Sequence, residues 1–540
     1  MKNTIKNKLI PIICLILVLG FSNGVYSAET EHTPYADYLN EMGLFQGTGQ
    51  GYDLESAATR SQAAVMVVRL LGKEKEALSM NYQHPFLDVP EWAGPYIGYL
   101  YKFGISNGLD KTTYGANKLI NASEYMTFLI RVIGYDDTQG DFSWDKSLHK
   151  ANSLGIIATS EYSIYQKKSS FLRDDMVFFS YAALKTDLKN GKGISLLRKL
   201  MDDSTVPQTA MLAYKYAPYA AVNRNKQPKN HEELKQAVIV SIVAHDEQLV
   251  VDLSKSSITF DSVKEVLEEA MNDLVKIPGY YGNVNTCYYK LSNTMLTITY
   301  DYTISKYKLD QSFEVAKKII SQIISKDMSD YERELAIHDY IVDNTSYYLG
   351  EDNEVYKMIG VLVNKKAVCQ GYAEAFLYLS TLAGLDAQMV IGNGITDGTT
   401  IPHAWNTVEI EGEWYQIDTT WDDPVSSNGK DNKTYKYFNI TNKEMALDHE
   451  WDTTAYKIAN GTKYNYYVFN NMTVIGEAGL KTALQEGFKN KKKEMIFKVV
   501  GEKISSKQVS SILDKVRSYK SCAFSVDPDS GIVKITNIVY

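Results

Sequence analysis

Apolar residues recur at helical spacing through residues 34–190, where each predicted unit is a helix, a glycine turn, a loop and a second, capped helix. The clearest unit begins at Phe86, turns at Gly104 and opens its second helix at Asn121. Because self-similarity at this period indicates a repeat architecture, the pattern predicts an all-α region built from internal repeats.

Two other copies of this unit are less regular. The first places its glycine turn at 42–47 and its second helix start at 59–62, and the third uses 154–156 and 172–175. We therefore divide the region into three repeats, at about 34–80, 84–137 and 141–190.

Two small segments mix helical and alternating patterns and carry no catalytic grouping. In residues 205–325 the pattern predicts helices at Glu232–Ala244 and Ser262–Lys276 and a hairpin of Tyr288–Leu291 and Thr294–Tyr302 that turns at Ser292 and Asn293. In residues 455–540 it predicts a strand at Tyr466–Phe469, helices at Leu480–Lys489 and Ser506–Ser518, and strands near Ile496–Val500 and Ile532–Ile535. We expect two small α/β modules of unknown role.

Residues 326–452 hold the chemically informative pattern and open with a predicted helix at Asp330–Asn344. A second helix is predicted to start at Cys369, because Tyr372 and Phe376 follow it at helical spacing. The first turn of a helix carries partial positive charge, which favours the nucleophilic thiolate. Cys369 is therefore a candidate nucleophile.

The strand that contains His403 supplies a candidate base for that thiol. Alternation predicts a strand over 403–410, a tight turn at 411–412 and a returning strand over 413–418. With a two-residue turn, His403 and Asp418 are diagonal neighbours on one face, and the carboxylate can orient the imidazole. A three-residue turn would break this inference.

Cys369, His403 and Asp418 have the residue types of a triad in which the base takes the thiol proton and the carboxylate fixes the tautomer. Asp422 and Asp423 remain alternatives to Asp418, because Asp422 keeps the required parity if the strand extends.

Other polar groups near the candidate triad have less certain roles. The backbone N–H of Cys369 is expected to stabilise an oxyanion, because first-turn amides lack helical partners. The hydroxyl of Tyr347 or Tyr348 is the candidate second donor, and His338, on an apolar helix face, is expected to be structural.

Composition excludes several classes of function. The 540 residues include 57 Lys and Arg against 65 Asp and Glu, a net charge of −8 that gives no basic surface for nucleic acid. The four cysteines are too few for a disulfide framework or a Cys-rich zinc module, and whether Cys287 and Cys522 pair is left open. We expect no cofactor and no metal.

The N-terminus predicts a secretory signal at Met1–Ser27. Three lysines precede the apolar run Leu9–Phe21, which is too short to span a bilayer. Cleavage near Ser27 removes Cys14 and three lysines, so the net charge changes from −8 to −11. An uncleaved anchor is the alternative, and no later stretch is apolar enough to span a membrane.

The repeats resemble the S-layer homology module, which has an aromatic-x-Asp-Val-Pro opening, a Gly-Ile-x-x-Gly turn and a Thr-Arg helix start. The resemblance implies a three-fold helical assembly that binds secondary cell-wall polysaccharide, and hence a secreted protein in the cell wall or S-layer of a bacterium. An arginine at a helix N-terminus suits a carboxylate, because free N–H groups accompany it. We expect polysaccharide binding by Arg60, Arg173, Asp88 and Trp92, unless the arginines are plain surface residues.

The segment with Val368-Cys369-Gln370-Gly371-Tyr372, His403-Ala404-Trp405-Asn406 and Asp418-Thr419-Thr420-Trp421 resembles the transglutaminase-like superfamily. The resemblance implies a papain-like core and acyl transfer from amides to water or an amine. It implies that Cys369 is the nucleophile, His403 the general base and acid, and Asp418 the orienting group.

The predicted fold class is a multidomain chain, in which an all-α S-layer homology repeat region precedes an α+β transglutaminase-like catalytic domain (326–452) with small α/β flanking modules. The favoured function is a wall-anchored thiol enzyme that acts on amide bonds of wall peptides or surface proteins. A cross-linking transglutaminase and a non-catalytic wall-binding protein with a vestigial triad are the alternatives.

Overall fold

A computed structural model describes residues 32–48, 51–191, 193–207, 209–219, 226–424 and 433–540. The predicted secretory signal, residues 1–27, lies outside the described residues. Within these ranges, no helix is both long and apolar enough to cross a membrane.

The N-terminal region is helical and shares one hydrophobic core from Ala36 to Ala217. Its helices are α1 (Thr33–Glu41), α2 (Arg60–Leu70), α3 (Glu74–Met80), α4 (Gly94–Lys102), α5 (Ala122–Val132), α6 (Ser147–Ser153), α7 (Thr159–Tyr165), α8 (Arg173–Ala183), α9 (Leu196–Asp202) and α10 (Ala210–Tyr216). Gly43, Gly104 and Gly155 follow α1, α4 and α6 with φ of 72°, 71° and 73°, a left-handed conformation that glycine adopts without strain. The same helix, turn and helix order therefore occurs three times.

The loops before α2, α5 and α8 meet at the centre of this region. The Ala58 N–H donates to the Phe171 carbonyl at 3.2 Å, and the Ile120 N–H donates to the Ala58 carbonyl at 3.0 Å. Because the loop before α2 exchanges backbone hydrogen bonds with both of the other loops and all three copies share one core, they form one body rather than a row of separate units.

The following segment contains helices α11 (His231–Val243), α12 (Phe260–Asp273) and α13 (Lys306–Ile323) and strands β1 (Gln248–Asp252), β2 (Val284–Ser292) and β3 (Met295–Tyr302). The sheet order is β1-β3-β2. Ser292 pairs with Met295, so the hairpin turns at Asn293 and Thr294, one residue later than predicted. Asn293 has φ of 53°, and asparagine tolerates this conformation at the first turn position.

The third segment places a long helix against an antiparallel sheet. Its elements are α14 (Asp330–Asn344), β4 (Ser346–Tyr347), β5 (Lys366–Ala367), α15 (Cys369–Leu382), β6 (Ala387–Thr396), β7 (Thr399–Ile410), β8 (Glu413–Ile417), α16 (Asn442–Met445) and β9 (His449–Glu450). The main sheet has the order β8-β7-β6-β9, and α15 packs on β6 and β7.

The β7–β8 hairpin has the predicted register. Ile410 pairs with Glu413, and the ladder continues to the pair of Asn406 and Ile417. Glu411 and Gly412 have φ of 48° and 83°, the conformation of a two-residue turn with both central residues left-handed.

The C-terminal segment has a separate small core. Its elements are α17 (Tyr466–Phe469), β10 (Thr473–Ile475), α18 (Gly476–Lys489), β11 (Met495–Val500), α19 (Ser506–Lys515), β12 (Ser521–Asp527) and β13 (Ile532–Val539), with the sheet order β10-β11-β13-β12. The strand predicted at Tyr466–Phe469 is wrong, because this segment is a helical turn. Its aromatic rings pack on separate partners: Tyr466 stacks on Tyr435 at 3.7 Å, and Phe469 lies 4.1 Å from Tyr331.

The helical region docks on the far end of α15. Arg198 donates to the Gly384 carbonyl at 3.0 Å and pairs with Asp330 at 2.6 Å. Arg333 donates to the Ala383 carbonyl, also at 3.0 Å. Two guanidinium groups at a helix C-terminus complement its negative end, so this junction fixes the helix that starts with Cys369.

A fully buried ion pair anchors the other side of α15. Lys357 and Glu374 are 0% and 1% exposed and contact each other directly, and Glu374 also accepts the Met358 N–H at 2.6 Å. Removing one partner of such a pair leaves an uncompensated buried charge.

We therefore expect Lys357→Met to destabilise this segment by about 3–5 kcal/mol. Urea unfolding of the full chain, followed by tryptophan fluorescence, measures the effect, since four of the six tryptophans lie between 405 and 451. The double variant with Glu374→Gln should recover part of the loss. A double variant no more stable than Lys357→Met alone would contradict the account.

Candidate active site

Cys369 is the first residue of α15, as predicted, and Val368 precedes it in an extended conformation. The Val368 N–H donates to the Val355 carbonyl at 3.0 Å, which fixes the entry of the chain into the helix. Tyr372 and Phe376 are fully buried behind it, while Cys369 itself is partly exposed. The thiol is therefore held at the partly exposed start of a helix whose next turns are buried.

His403 lies on β7 and faces two groups of the predicted set. Its Nε2 is 2.7 Å from Asp418 Oδ2, and the Cys369 side chain is close enough to its ring to raise the pKa of His403. Burial lowers the pKa of His403, but the Asp418 carboxylate and the Cys369 sulfur outweigh it and raise that pKa to about 10. The site therefore favours a protonated imidazole beside the Asp418 carboxylate.

Asp418 is fully buried, and its second oxygen is held by the backbone. Oδ1 accepts the N–H groups of Thr420 at 2.9 Å and Trp421 at 3.2 Å, which leaves Oδ2 for His403. Burial raises the pKa of Asp418, but the histidine contacts hold it well below its usual range. An ionised carboxylate in this fixed orientation selects the imidazole tautomer whose Nδ1 is available to Cys369.

The alternatives to Asp418 have other partners. Asp422 Oδ2 lies 3.3 Å from His338 Nε2, and Asp423 accepts the Tyr372 hydroxyl at 2.5 Å. His338 is fully buried; burial lowers its pKa, but the contacts with Asp339 and Asp422 outweigh burial and raise that pKa to about 9. These contacts fasten the loop after β8 to α14 and α15, which agrees with the structural role expected for His338.

Sequence patterns gave no signal for His449, which also contacts Asp418. Its Nε2 is 3.2 Å from Asp418 Oδ2, and it lies on β9, where it pairs with Gly394 of β6. β9 has only two residues, too few for a period to be detected, and its pairing with β6 spans 55 positions of sequence.

His403, Asp418 and His449 form the one group among the described residues whose donor atoms lie close enough together to suggest a metal site. The His403 and Asp418 atoms are 2.7 Å apart, whereas two ligands at about 2.0–2.1 Å from a tetrahedral zinc lie about 3.3 Å apart. The spacing is that of hydrogen bonds, and we assign the group to a hydrogen-bonded network.

The candidate oxyanion donors differ in their position. The Cys369 N–H is the first amide of α15 and has no intrahelical acceptor. Tyr347 pairs with Ala367 of β5, two residues before Cys369, and burial first, then the Cys369 side chain, raises the pKa of Tyr347 to about 12. Tyr348 is 45% exposed, so Tyr347 is the better placed of the two tyrosines.

The structure corrects the expectation that a ligand uses free N–H groups at the helix starts of Arg60 and Arg173. The Arg60 and Arg173 N–H groups donate to the carbonyls of Lys118 and Ser56, each at 2.9 Å. These amides are not free for a ligand, because the loops of neighbouring copies use them. The two side chains are only 7% and 4% exposed, so they are not plain surface arginines either.

The other two expected polysaccharide residues lie in the second repeat. Asp88 accepts the N–H groups of Tyr114, Gly115 and Ala116 at 2.7–3.0 Å and so holds a turn. Trp92 is 56% exposed. Trp92 therefore remains available to a ligand, while Asp88 has a structural task.

Two family models match this chain. Residues 317–419 match the transglutaminase-like superfamily, and residues 85–124 match the S-layer homology domain. The chain thus carries a transglutaminase-like core and an S-layer homology domain in a multidomain, mixed α and β architecture.

Curated relatives match parts of the chain. Kyphoscoliosis peptidase of Homo sapiens is 28% identical over 24% of this chain and 21% of that protein. The Cell surface protein of Thermoanaerobacter kivui is 25% identical over 44% and 31%, and the Middle cell wall protein of Brevibacillus brevis is 25% identical over 28% and 14%. The chain spans less than a third of the length of each.

A solved structure described as a TGase covers 36% of this chain and 56% of that chain, at 19% sequence identity and a TM-score of 0.21.

We expect iodoacetamide to alkylate Cys369 faster than Cys287 and Cys522, because only Cys369 faces an imidazole at a helix start, whereas burial raises the pKa of the Cys287 thiol. Peptide mass spectrometry after timed labelling at pH 7 measures the three rates. His403→Gln should slow Cys369 at least tenfold and leave the other two unchanged. Equal rates for the three thiols in the unaltered chain would contradict the activated-thiolate account.

Proposed function

We propose that this protein is a wall-anchored thiol enzyme that cleaves amide bonds of wall peptides or surface proteins. The observation that supports this proposal most is that His403 contacts both Asp418 and Cys369, and that Cys369 starts a buried helix. The arrangement has the nucleophile, base and orienting group that acyl transfer from an amide requires.

In the proposed mechanism the Cys369 thiolate attacks the amide carbonyl, and the Cys369 N–H stabilises the resulting oxyanion. The C–N bond then breaks, and His403 donates its proton to the departing amine, which leaves an acyl thioester on Cys369. Water attacks the thioester while His403 takes a proton from it, and the acid product leaves. Asp418 stays ionised and keeps His403 in the required tautomer throughout.

Anchoring is proposed to depend on anionic polysaccharide, and the two buried arginines support this. Arg60 makes no ion pair among the described residues. Its Nη2 donates to the Ser106 hydroxyl oxygen at 3.4 Å, and its guanidinium carbon lies 5.1 Å from the rings of both Tyr114 and Phe128. Its Nε is buried without a partner. A buried cation that contacts only ring faces and a neutral hydroxyl is stabilised by an anionic ligand that reaches its edge.

The relatives are consistent with this proposal, since one is named a peptidase and two are named for the cell surface and cell wall. We extend cleavage and wall location from those names to this chain as a proposal. Transfer of the acyl group to an amine uses the same thioester, so it is an outcome of the experiment below.

Incubation of the full chain with purified wall peptides and a fluorescent primary amine tests the chemistry. We expect new amino termini by mass spectrometry, their loss by at least a hundredfold in Cys369→Ala, and unchanged activity in the matched control Cys287→Ala. Amine incorporation without new amino termini would identify a cross-linking enzyme instead. Equal product formation by Cys369→Ala would refute a thiol enzyme.

Retention of the full chain on purified cell walls tests the anchor. Arg60→Ala with Arg173→Ala should lower the retained fraction several-fold, because both proposed charges are lost. Arg69→Ala is the matched control, since Arg69 lies on the same helix as Arg60 but pairs with Glu74 at 2.8 Å. Unchanged retention of the double variant would refute these binding residues.

A further inference from the structure

His449 lies between two carboxylates. Its Nε2 is 3.2 Å from Asp418 Oδ2, and its Nδ1 is 2.7 Å from Asp448 Oδ1. An ionised carboxylate only accepts hydrogen bonds, so each ring nitrogen must donate. With both carboxylates ionised, His449 is therefore a doubly protonated, positively charged imidazolium.

The ionisation of the three groups is mutually consistent. Burial raises the pKa of Asp448, but His449 and the Tyr437 hydroxyl, at 2.6 Å, lower it below its usual value. Burial lowers the pKa of His449, and the Asp418 and Asp448 contacts outweigh it and raise that pKa. The same network holds Asp418 as an anion.

The remaining charged neighbours come from other elements. The His403 ring, on β7, lies 5.4 Å from the His449 ring, and a charge on either lowers the pKa of the other. Lys436 lies 3.7 Å from Asp448 and 3.0 Å from Asp527 of β12. The rings of Trp405 and Trp421 lie 4.8 Å and 4.3 Å from the His449 ring, and His449 is buried from water.

We propose that His449 is a positioning residue that provides Asp418 with a permanent counter-cation, so that Asp418 remains ionised each time His403 gives up its proton. Without His449, a neutral His403 would leave Asp418 as a fully buried anion with only neutral donors, which is costly. The positive charge of His449 also repels a proton on His403 and makes that proton easier to transfer. This inference rests on the proposed function for its catalytic consequence, but not for the charge on His449.

Nitrogen-15 NMR of histidine-labelled full chain tests the charge state directly. Both His449 nitrogens should be protonated at pH 7, where an ordinary histidine is mostly neutral, with assignment by the His449→Gln variant. In that variant the pKa of His403 should rise above its value of about 10, because the repelling charge is gone. If the pKa of His403 is unchanged in this variant, His449 contributes only packing. If that pKa falls, His449 only orients Asp418. Either result, or one bare nitrogen on His449, overturns the proposal.

His338→Gln is the matched control, because His338 is another fully buried histidine between two carboxylates, Asp339 at 3.1 Å and Asp422 at 3.3 Å, away from His403. Its loss should leave the His403 titration unchanged. Thermal unfolding of both variants checks that each is folded at the temperature of the titration.

The kinetic consequence is measured with p-nitrophenyl acetate as the probe. The Cys369 thiolate forms a thioester as p-nitrophenolate leaves as an anion, so His403 keeps its proton and must release it to solvent. His403 then accepts a proton from the attacking water, the C–S bond breaks, and acetate leaves. We expect His449→Gln to keep the initial burst of p-nitrophenolate and to slow the steady-state rate at least tenfold, because His403 holds its proton too tightly to act as a base. An equal steady-state rate would overturn the catalytic part. Absence of a burst in the unaltered chain would refute the proposed function, while the NMR result still decides the charge on His449.

Discussion

The fully buried Asp418 carboxylate is the constraint on which the candidate site depends. It has no access to water, so each of its oxygens must be satisfied by the protein. Two backbone N–H groups after β8 hold one oxygen, and two histidines from β7 and β9 share the other. The hairpin, the loop after it and the sheet edge are therefore arranged around a single negative charge.

The rest of the chain fixes the thiol relative to that charge. α15 packs on β6 and β7, and its far end is held by Arg198 from the helical region and by Arg333 from α14. The Lys357 and Glu374 pair fastens its side. Because Cys369 starts this helix, a shift of any of these contacts moves the sulfur away from His403. The contact of Arg198 with α15 therefore links the proposed wall-binding region to the proposed chemistry.

Local patterns were sufficient for much of this arrangement. The helix start at Cys369 follows from the spacing of Tyr372 and Phe376, and the meeting of His403 with Asp418 follows from a two-residue turn and strand parity. Both depend on residues close in sequence. Three other features depend on segments that lie dozens to hundreds of residues apart, so no local hydrophobic period predicts them. They are the contact of His449 with Asp418, the burial of Arg60 and the contact of Arg198 with Gly384. The strand prediction for Tyr466–Phe469 was wrong for a related reason, because aromatic partners distant in sequence stabilise a helical turn there.

The central claim is that Asp418 holds a proton on His403 beside Cys369. The most direct measurement is a histidine NMR titration of His403 in the full chain and in Asp418→Asn, a variant that keeps the size of the side chain and removes its charge. We expect His403 to lose its proton at about pH 10 in the unaltered chain and, in Asp418→Asn, at a pH lowered toward the ordinary histidine value of about 6.5. A His403 that titrates near 6.5 in both proteins would contradict it.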